Sequence, residues 1–185
     1  MSLKELTHEQ HRTAETQPFV KVLFSGKIDP KIYAIYLFNQ HRMYDVLEAC
    51  AMMHGLLNDY PTIRRSPNIF SDFEELWEDK NSRPNILPST DRYIKYVMSI
   101  KDDPKKLLAH LYVRHFGDLS GGQMIAKRVP GSGTMYQFDN IDELKTKIRA
   151  KLKDSMGEEA NVAFDFAIDM MKDMMEDEQS LGNTN

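Results

Sequence analysis

Two stretches of the chain carry residue types at spacings that could do chemistry. Near the N-terminus, Lys4, His8, His11 and Glu15 follow one another at steps of four, three and four, which on a helix brings them to one face. An imidazole there could ligate a metal centre. A carboxylate one turn on could take the other ring N–H, as ligating histidines usually require. Spacing does not choose between His8 and His11, and the same stripe would also serve as a solvated helix face held by i,i+4 pairs.

The second stretch is Arg114-His115-Phe116-Gly117-Asp118-Leu119-Ser120-Gly121-Gly122-Gln123. Its three glycines fall within six residues of an otherwise helical run, at a cost of about 3 kcal/mol relative to alanine. Gly117-x-x-x-Gly121 could let two helices approach closely or could kink one. It could equally let backbone lie against a flat, bulky ligand where no Cβ fits. Arg114 and Asp118 stand one turn apart with the base first, the weaker order for a helix ion pair, so the pair has little to recommend it as helix glue. Phosphate-loop, dinucleotide, zinc-protease and serine-hydrolase motifs are absent from the sequence.

The elements that must position these residues read as helices throughout. Residues 2–16 suit a first amphipathic helix that ends before Pro18. Lys31 to Leu57 reads as a long helix, apolar all round its first half, with Gly55 and Asn58 as stop signals. Ser71-Asp72-Phe73-Glu74 has the form of a capping box opening a short helix with Trp77. Residues 81–88 read as a loop, Thr90 to Ile100 as a helix, and Asp103-Pro104 as the start of a helix running to about 128 through the three glycines. Helices over about 140–155 and 158–180 complete an all-α chain with no persistent strand pattern, repeat or linker.

Composition sets outer limits. At 185 residues, one domain spanning 1–185 is expected, with a core large enough to need no disulfide or structural metal. The single cysteine, Cys50, excludes an internal disulfide, a four-cysteine zinc site and a cysteine-ligated iron–sulfur cluster. The longest apolar run, Ile32 to Phe38, has seven residues, against roughly 20 for a bilayer span. A polar N-terminus without a secretory core points to a soluble, cytoplasmic protein with no membrane partner. The net charge of −4, from 24 Lys+Arg and 28 Asp+Glu, argues against a nucleic-acid partner. Twelve methionines, clustered at 170–175, suit flexible core filling.

Taken together, the two motifs resemble one family. Gly117 to Gln123, preceded by Tyr112 and Arg114, looks like the distal-helix motif of haem oxygenases, and His11-Arg12-Thr13-Ala14-Glu15 with Phe19-Val20 looks like their proximal-histidine segment. The resemblance extends from about Lys4 to Phe164. It implies a helical bundle holding haem b, both cofactor and substrate, between a proximal N-terminal helix and a glycine-kinked distal helix. It implies His11 rather than His8 as the axial iron ligand, because the family pattern His-x-x-Ala-Glu starts at His11 and ends on Glu15. Asp118 matches the distal aspartate that holds a water where O2 is activated. Arg114 and Tyr44 match members of the distal hydrogen-bond network. Gly117, Gly121 and Gly122 match glycines lying on the haem face, and Phe164 matches a haem-wall residue. Lys145 and Arg149 match the propionate-binding pair, with Lys4 and Tyr112 as further contacts.

The activity so implied is conversion of haem to biliverdin, CO and ferrous iron with O2 and an external reductant, opening at the α edge. The positives of residues 145–153 could attract an acidic electron donor such as ferredoxin, and the product could pass to a bilin reductase. The alternatives are a haem carrier or sensor without turnover, or a helical scaffold that binds no haem. His8 stands where many members carry lysine, and His41, His54, His110 and His115 match no required role.

Overall fold

The first helix begins where a reciprocal cap allows it. The Ser2 side chain accepts from the Glu5 backbone N–H while Glu5 accepts from the Ser2 backbone N–H at 2.7 Å, closing two otherwise orphaned donors. The computed structural model describes residues 1–182, with side chains described through 179. The helix expected over 2–16 is two, α1 (Leu3–Leu6) and α2 (His8–Glu15). Thr7 stands between them at φ −106° and ψ 1°, buried, its hydroxyl donating to the Leu3 carbonyl at 2.9 Å. A threonine bonding its own backbone in this way competes with helix continuation. Pro18 opens α3 (Pro18–Phe24), which was not expected from sequence.

The central element is α4 (Pro30–Met53), capped by Asp29, whose carboxylate accepts from the Lys31 N–H at 2.7 Å. Ile32 to Leu37 are all buried, as the apolar run requires. Next comes α5 (Ser66–Leu76), which starts five residues before the expected capping box at Ser71 and leaves Trp77 as its C-cap. Its cap comes from α4: Glu48 accepts from the Arg65 N–H at 2.6 Å and the Ser66 N–H at 3.0 Å. Asp72, the supposed box residue, instead accepts from Thr134 and Met135 N–H groups and holds the 3₁₀ turn at 134–136. α6 (Pro88–Ser99) and α7 (Pro104–Leu119) follow, the latter capped by Asp103.

The helix expected to run to 128 stops at Leu119. Ser120, at φ −117° and ψ −93°, breaks it, and α8 (Gly122–Ile125) restarts after Gly121. α9 (Ile141–Lys151) and α10 (Gly157–Gly182) complete the described chain. α4 packs against α5, α6 and α7, while α10 lies across α7, α2, α3 and α6. One apolar core joins them, with Phe19, Tyr33, Leu37, Leu47, Phe73, Tyr93 and Leu107 fully buried. No helix among the described residues is long and apolar enough to cross a membrane.

Candidate functional site

The polar centre of the bundle is built where α4 meets α7. Tyr44 donates its hydroxyl to Asp118 Oδ2 at 2.7 Å, and both residues are buried. Burial pushes the Asp118 carboxyl up to about 6, against the opposing pull of His115, the Tyr44 hydroxyl, Arg65 and Arg114. The same burial, reinforced by the Asp118 charge, raises the Tyr44 phenol well above its ordinary value, so Tyr44 is a fixed donor.

Arg114 lies one turn before Asp118 and is also buried. Its guanidinium stacks 4.1 Å from the Tyr93 ring centroid and 5.8 Å from that of Tyr44, positions in which an aromatic face attracts a cation. It donates to Gln40 Oε1 at 3.4 Å and to the Met43 sulfur at 3.3 Å. The Arg114 Nε and the His115 Nδ1 are buried without a hydrogen-bond partner among the described residues. The other His115 nitrogen, Nε2, lies 2.9 Å from Glu48 Oε1.

The glycines after Arg114 are not alike. A Cβ on Gly117 would meet nothing within 4 Å, and one on Gly121 only the Gly117 carbonyl at 4.0 Å. A Cβ on Gly122 would strike the Tyr136 ring at 2.8 Å. Gly117 and Gly121 therefore leave a bare strip on α7 and the turn after it, whereas Gly122 admits Tyr136. Positive φ is not the reason for any of the three, since left-handed backbone occurs at Gly26, Gly55, Gly131 and Gly133 instead.

A second group forms on α2, a helix that buries none of its residues. The His11 side chain is 53% exposed, with Nε2 3.5 Å from Glu15 Oε1. Its ring meets Phe164 of α10 edge to face, centroids 5.5 Å apart. Lys4 is exposed on α1 and separated from His11 by the break at Thr7, so the expected four-residue stripe is not one continuous helix face. The third group gathers on Phe116: the Arg149 guanidinium lies 4.8 Å and the Lys145 ammonium 5.8 Å from its ring centroid, and Tyr112 packs 5.6 Å away. The structure thus unites Tyr44 with Asp118 and Arg114, His11 with Glu15 and Phe164, and Tyr112 with Lys145 and Arg149.

Sequence reasoning missed Tyr93, Gln40 and Met43 as neighbours of Arg114, and Glu48 with His115 behind Tyr44. One signal was there to find. His110, Arg114 and Asp118 recur at steps of four along α7, a polar stripe on a helix whose other residues are largely buried.

Known proteins share this architecture. The family model described as Heme oxygenase matches residues 1–173. A heme oxygenase of Guillardia theta is 32% identical over 92% of this chain and 83% of that relative. Heme oxygenase 2 of Macaca fascicularis is 30% identical over 89% of this chain, which spans 61% of that relative's length. Among solved structures, heme oxygenase-1 of the cyanobacterium Synechocystis, crystallised with heme, superposes with a TM-score of 0.82 at 23% identity, covering 98% of this chain and 95% of that one. Heme oxygenase from Leptospira interrogans gives a TM-score of 0.77 at 26% identity over 92% and 98% of the two chains. A family match across nearly the whole sequence, on an all-helical fold shared with those structures, places the chain in the haem oxygenase family.

Proposed function

We propose that this protein, acting as one catalytic domain, cleaves haem with O2 and externally supplied electrons to biliverdin, CO and ferrous iron, opening the ring at the α edge. The observation that carries this reading is the Tyr44–Asp118 pair, a buried carboxyl held at 2.7 Å by a phenol, on the helix that also carries the bare strip at Gly117. A haem carrier needs a ligand and an apolar slot, and the buried Asp118 carboxyl would only cost it stability.

The residues fit a haem by three features. α2 offers an accessible imidazole on a helix with nothing buried. The distal side has open space at Gly117 and a buried, unpartnered Arg114 Nε. Lys145, Arg149 and Tyr112 converge beside Phe116, where fixed cations can take carboxylates. His11 would ligate the haem iron, with Glu15 receiving its other ring proton and Phe164 limiting its rotation. Lys145 and Arg149, with Tyr112 and Lys4, would hold the propionates and so decide which meso edge faces Asp118. When bound, the haem supplies the iron and the porphyrin edge on which O2 chemistry occurs, with the protein providing orientation. Asp118 would hold a water by its carboxylate, with Tyr44 fixing the carboxylate rotamer and Arg114 supporting its charge. An acidic electron carrier such as ferredoxin would supply electrons, and a bilin reductase would take the product, in the cytoplasm.

Reconstitution with haemin, followed by reductant under air, tests the reading. The Soret band is expected to fall as a bilin band grows. Asp118→Ala should retain the histidine-ligated spectrum and lose ring opening, and His11→Ala should lose that spectrum. A wild-type protein that binds haemin and never yields bilin would leave a carrier or sensor, and one without any Soret shift would leave a scaffold.

A further inference from the structure

A groove of about 760 Å³ opens between the segment before α5, the residues after α8 and the 132–139 loop. None of the residues proposed to touch haem lines it. Its charged side chains are Arg64, Arg65 and Lys127 against the single carboxylate of Asp139, a local excess of positive charge on a chain whose net charge is −4.

Arg65 is the fixed cation of the three. It is buried, stacks 4.1 Å from the Phe138 ring centroid and donates only to main-chain carbonyls. Those of Thr62, Ile63 and Arg64 take it on one side, and those of Thr134, Met135 and Gln137 on the other. Among the described residues it forms no ion pair, so its charge is spread over dipoles and not cancelled. That charge is felt as far as Asp118, whose carboxyl it helps to draw down.

Arg64 and Lys127 are the open cations. Arg64 Nε lies 3.4 Å from Glu48 Oε2 without a hydrogen bond, and the outer guanidinium nitrogens have no partner among the described residues. Lys127, exposed just past α8, makes no side-chain hydrogen bond or ion pair there. Around them, Asn68 and Gln137 each spend one amide hydrogen, on the Thr134 and Ser132 carbonyls, and keep a second to give.

Carboxylate and phosphate both attract such cations, and geometry separates them. The two oxygens of a carboxylate lie in one plane and are filled by a single guanidinium fork. Here donors come from several walls: Arg64 before α5, Asn68 on α5, Lys127 after α8 and Gln137 on the loop. Three diverging phosphate oxygens match that arrangement. The volume exceeds what a free phosphate needs and falls in the range of small-molecule pockets, which leaves space for an organic remainder.

We propose that this groove binds a phosphate-bearing small molecule, the phosphate held by Arg64 and Lys127 over the fixed charge of Arg65, the organic part lying along Ala126 and Phe138. The site stands independently of haem cleavage. It nevertheless shares a wall with the distal group, because Gln123, which lines the groove, donates to the Asp118 carbonyl at 3.0 Å and to the Tyr136 carbonyl at 2.9 Å.

Calorimetric titration of the haem-free chain with pyrophosphate, at an ionic strength held constant with chloride, tests the site. Saturable binding of one pyrophosphate per chain is expected. Arg64→Gln and Lys127→Gln should each weaken it about tenfold. Asp139→Asn, which removes the one opposing charge, should tighten it about threefold. Lys95→Gln on α6, whose lysine pairs with Asp91 outside the groove, should change nothing. Haemin, whose carboxylates are proposed to meet Lys145 and Arg149, should neither displace pyrophosphate nor be displaced by it. Absence of saturable binding, equal binding in Lys127→Gln, tighter binding of citrate than of pyrophosphate, or displacement by haemin overturns the proposal. Should Arg64→Gln not fold, the exposed Lys127 and Asp139 still decide it, since their substitutions must move affinity in opposite directions.

Discussion

Asp118 sits where a carboxylate is costly, and the cost has a definite pH signature. Its carboxyl, ordinarily at 3.8, is raised to about 6 in the fold, chiefly by burial. Between those values the folded protein holds a proton that the unfolded chain has released, so stability falls as pH rises through this window and stays lowered above it. The penalty is on the order of 3 kcal/mol. Asp118→Asn keeps an acceptor for the Tyr44 hydroxyl and removes the charge. It should therefore raise the melting temperature of the haem-free protein at pH 8 and change it little near pH 3.5, while abolishing ring opening. Equal effects at both pH values in thermal unfolding would refute the assignment of the cost to the buried charge. At this scale the sequence could pair only residues one helical turn apart, His11 with Glu15 and Arg114 with Asp118. It could not reveal that Tyr93, from α6, underlies Arg114, or that Glu48 reaches His115, because those pairings exist only once helices distant in the chain are packed together.

Among the elements, the glycines of the α7–α8 junction separate two causes that look the same in the sequence. Gly117 faces open space and Gly122 faces Tyr136. Gly117→Ala should therefore stabilise the haem-free protein by about 1 kcal/mol through helix propensity and weaken haem binding at least tenfold. Gly122→Ala must displace an aromatic ring and should destabilise the haem-free protein by about 1–3 kcal/mol. Denaturant unfolding and haemin titration of the two variants check both signs, and a destabilised Gly117→Ala would mean that the strip is not open. The junction shows where local reading stops. Three glycines announce a distortion, yet the helix ends at Ser120, between them. Likewise Ser71 has the form of a cap, while the true start of α5 is set by Glu48 from α4. Capping boxes are visible in sequence only when donor and acceptor are neighbours, as at Ser2 and Glu5.

For the whole molecule, the question is how a protein of net charge −4 would attract an acidic electron carrier. Average charge opposes such an encounter, so attraction must come from a local field. α9 and the residues after it supply five positive charges between 145 and 153, but they are not equally free. Lys147 is 2.7 Å from Glu143 and donates to the Asp59 carbonyl, and Lys151 is 2.6 Å from Asp59. Lys145 and Arg149 lie against Phe116, where the propionates are proposed to sit. Lys153 is exposed on the segment after α9 and belongs to neither group. Lys153→Glu should accordingly raise the KM for a reduced ferredoxin severalfold at low salt and leave haem affinity unchanged. The difference should vanish near about 0.3 M salt, where screening shortens the reach of surface charge to well under about 10 Å. With a small-molecule reductant in place of ferredoxin, the same substitution should have no effect on rate, because no docking surface is then needed. Steady-state rates measured with both donors across ionic strength decide the point. A ferredoxin KM that is flat in salt, or a Lys153→Glu defect that persists with the small reductant, would show that the basic segment does not guide the carrier.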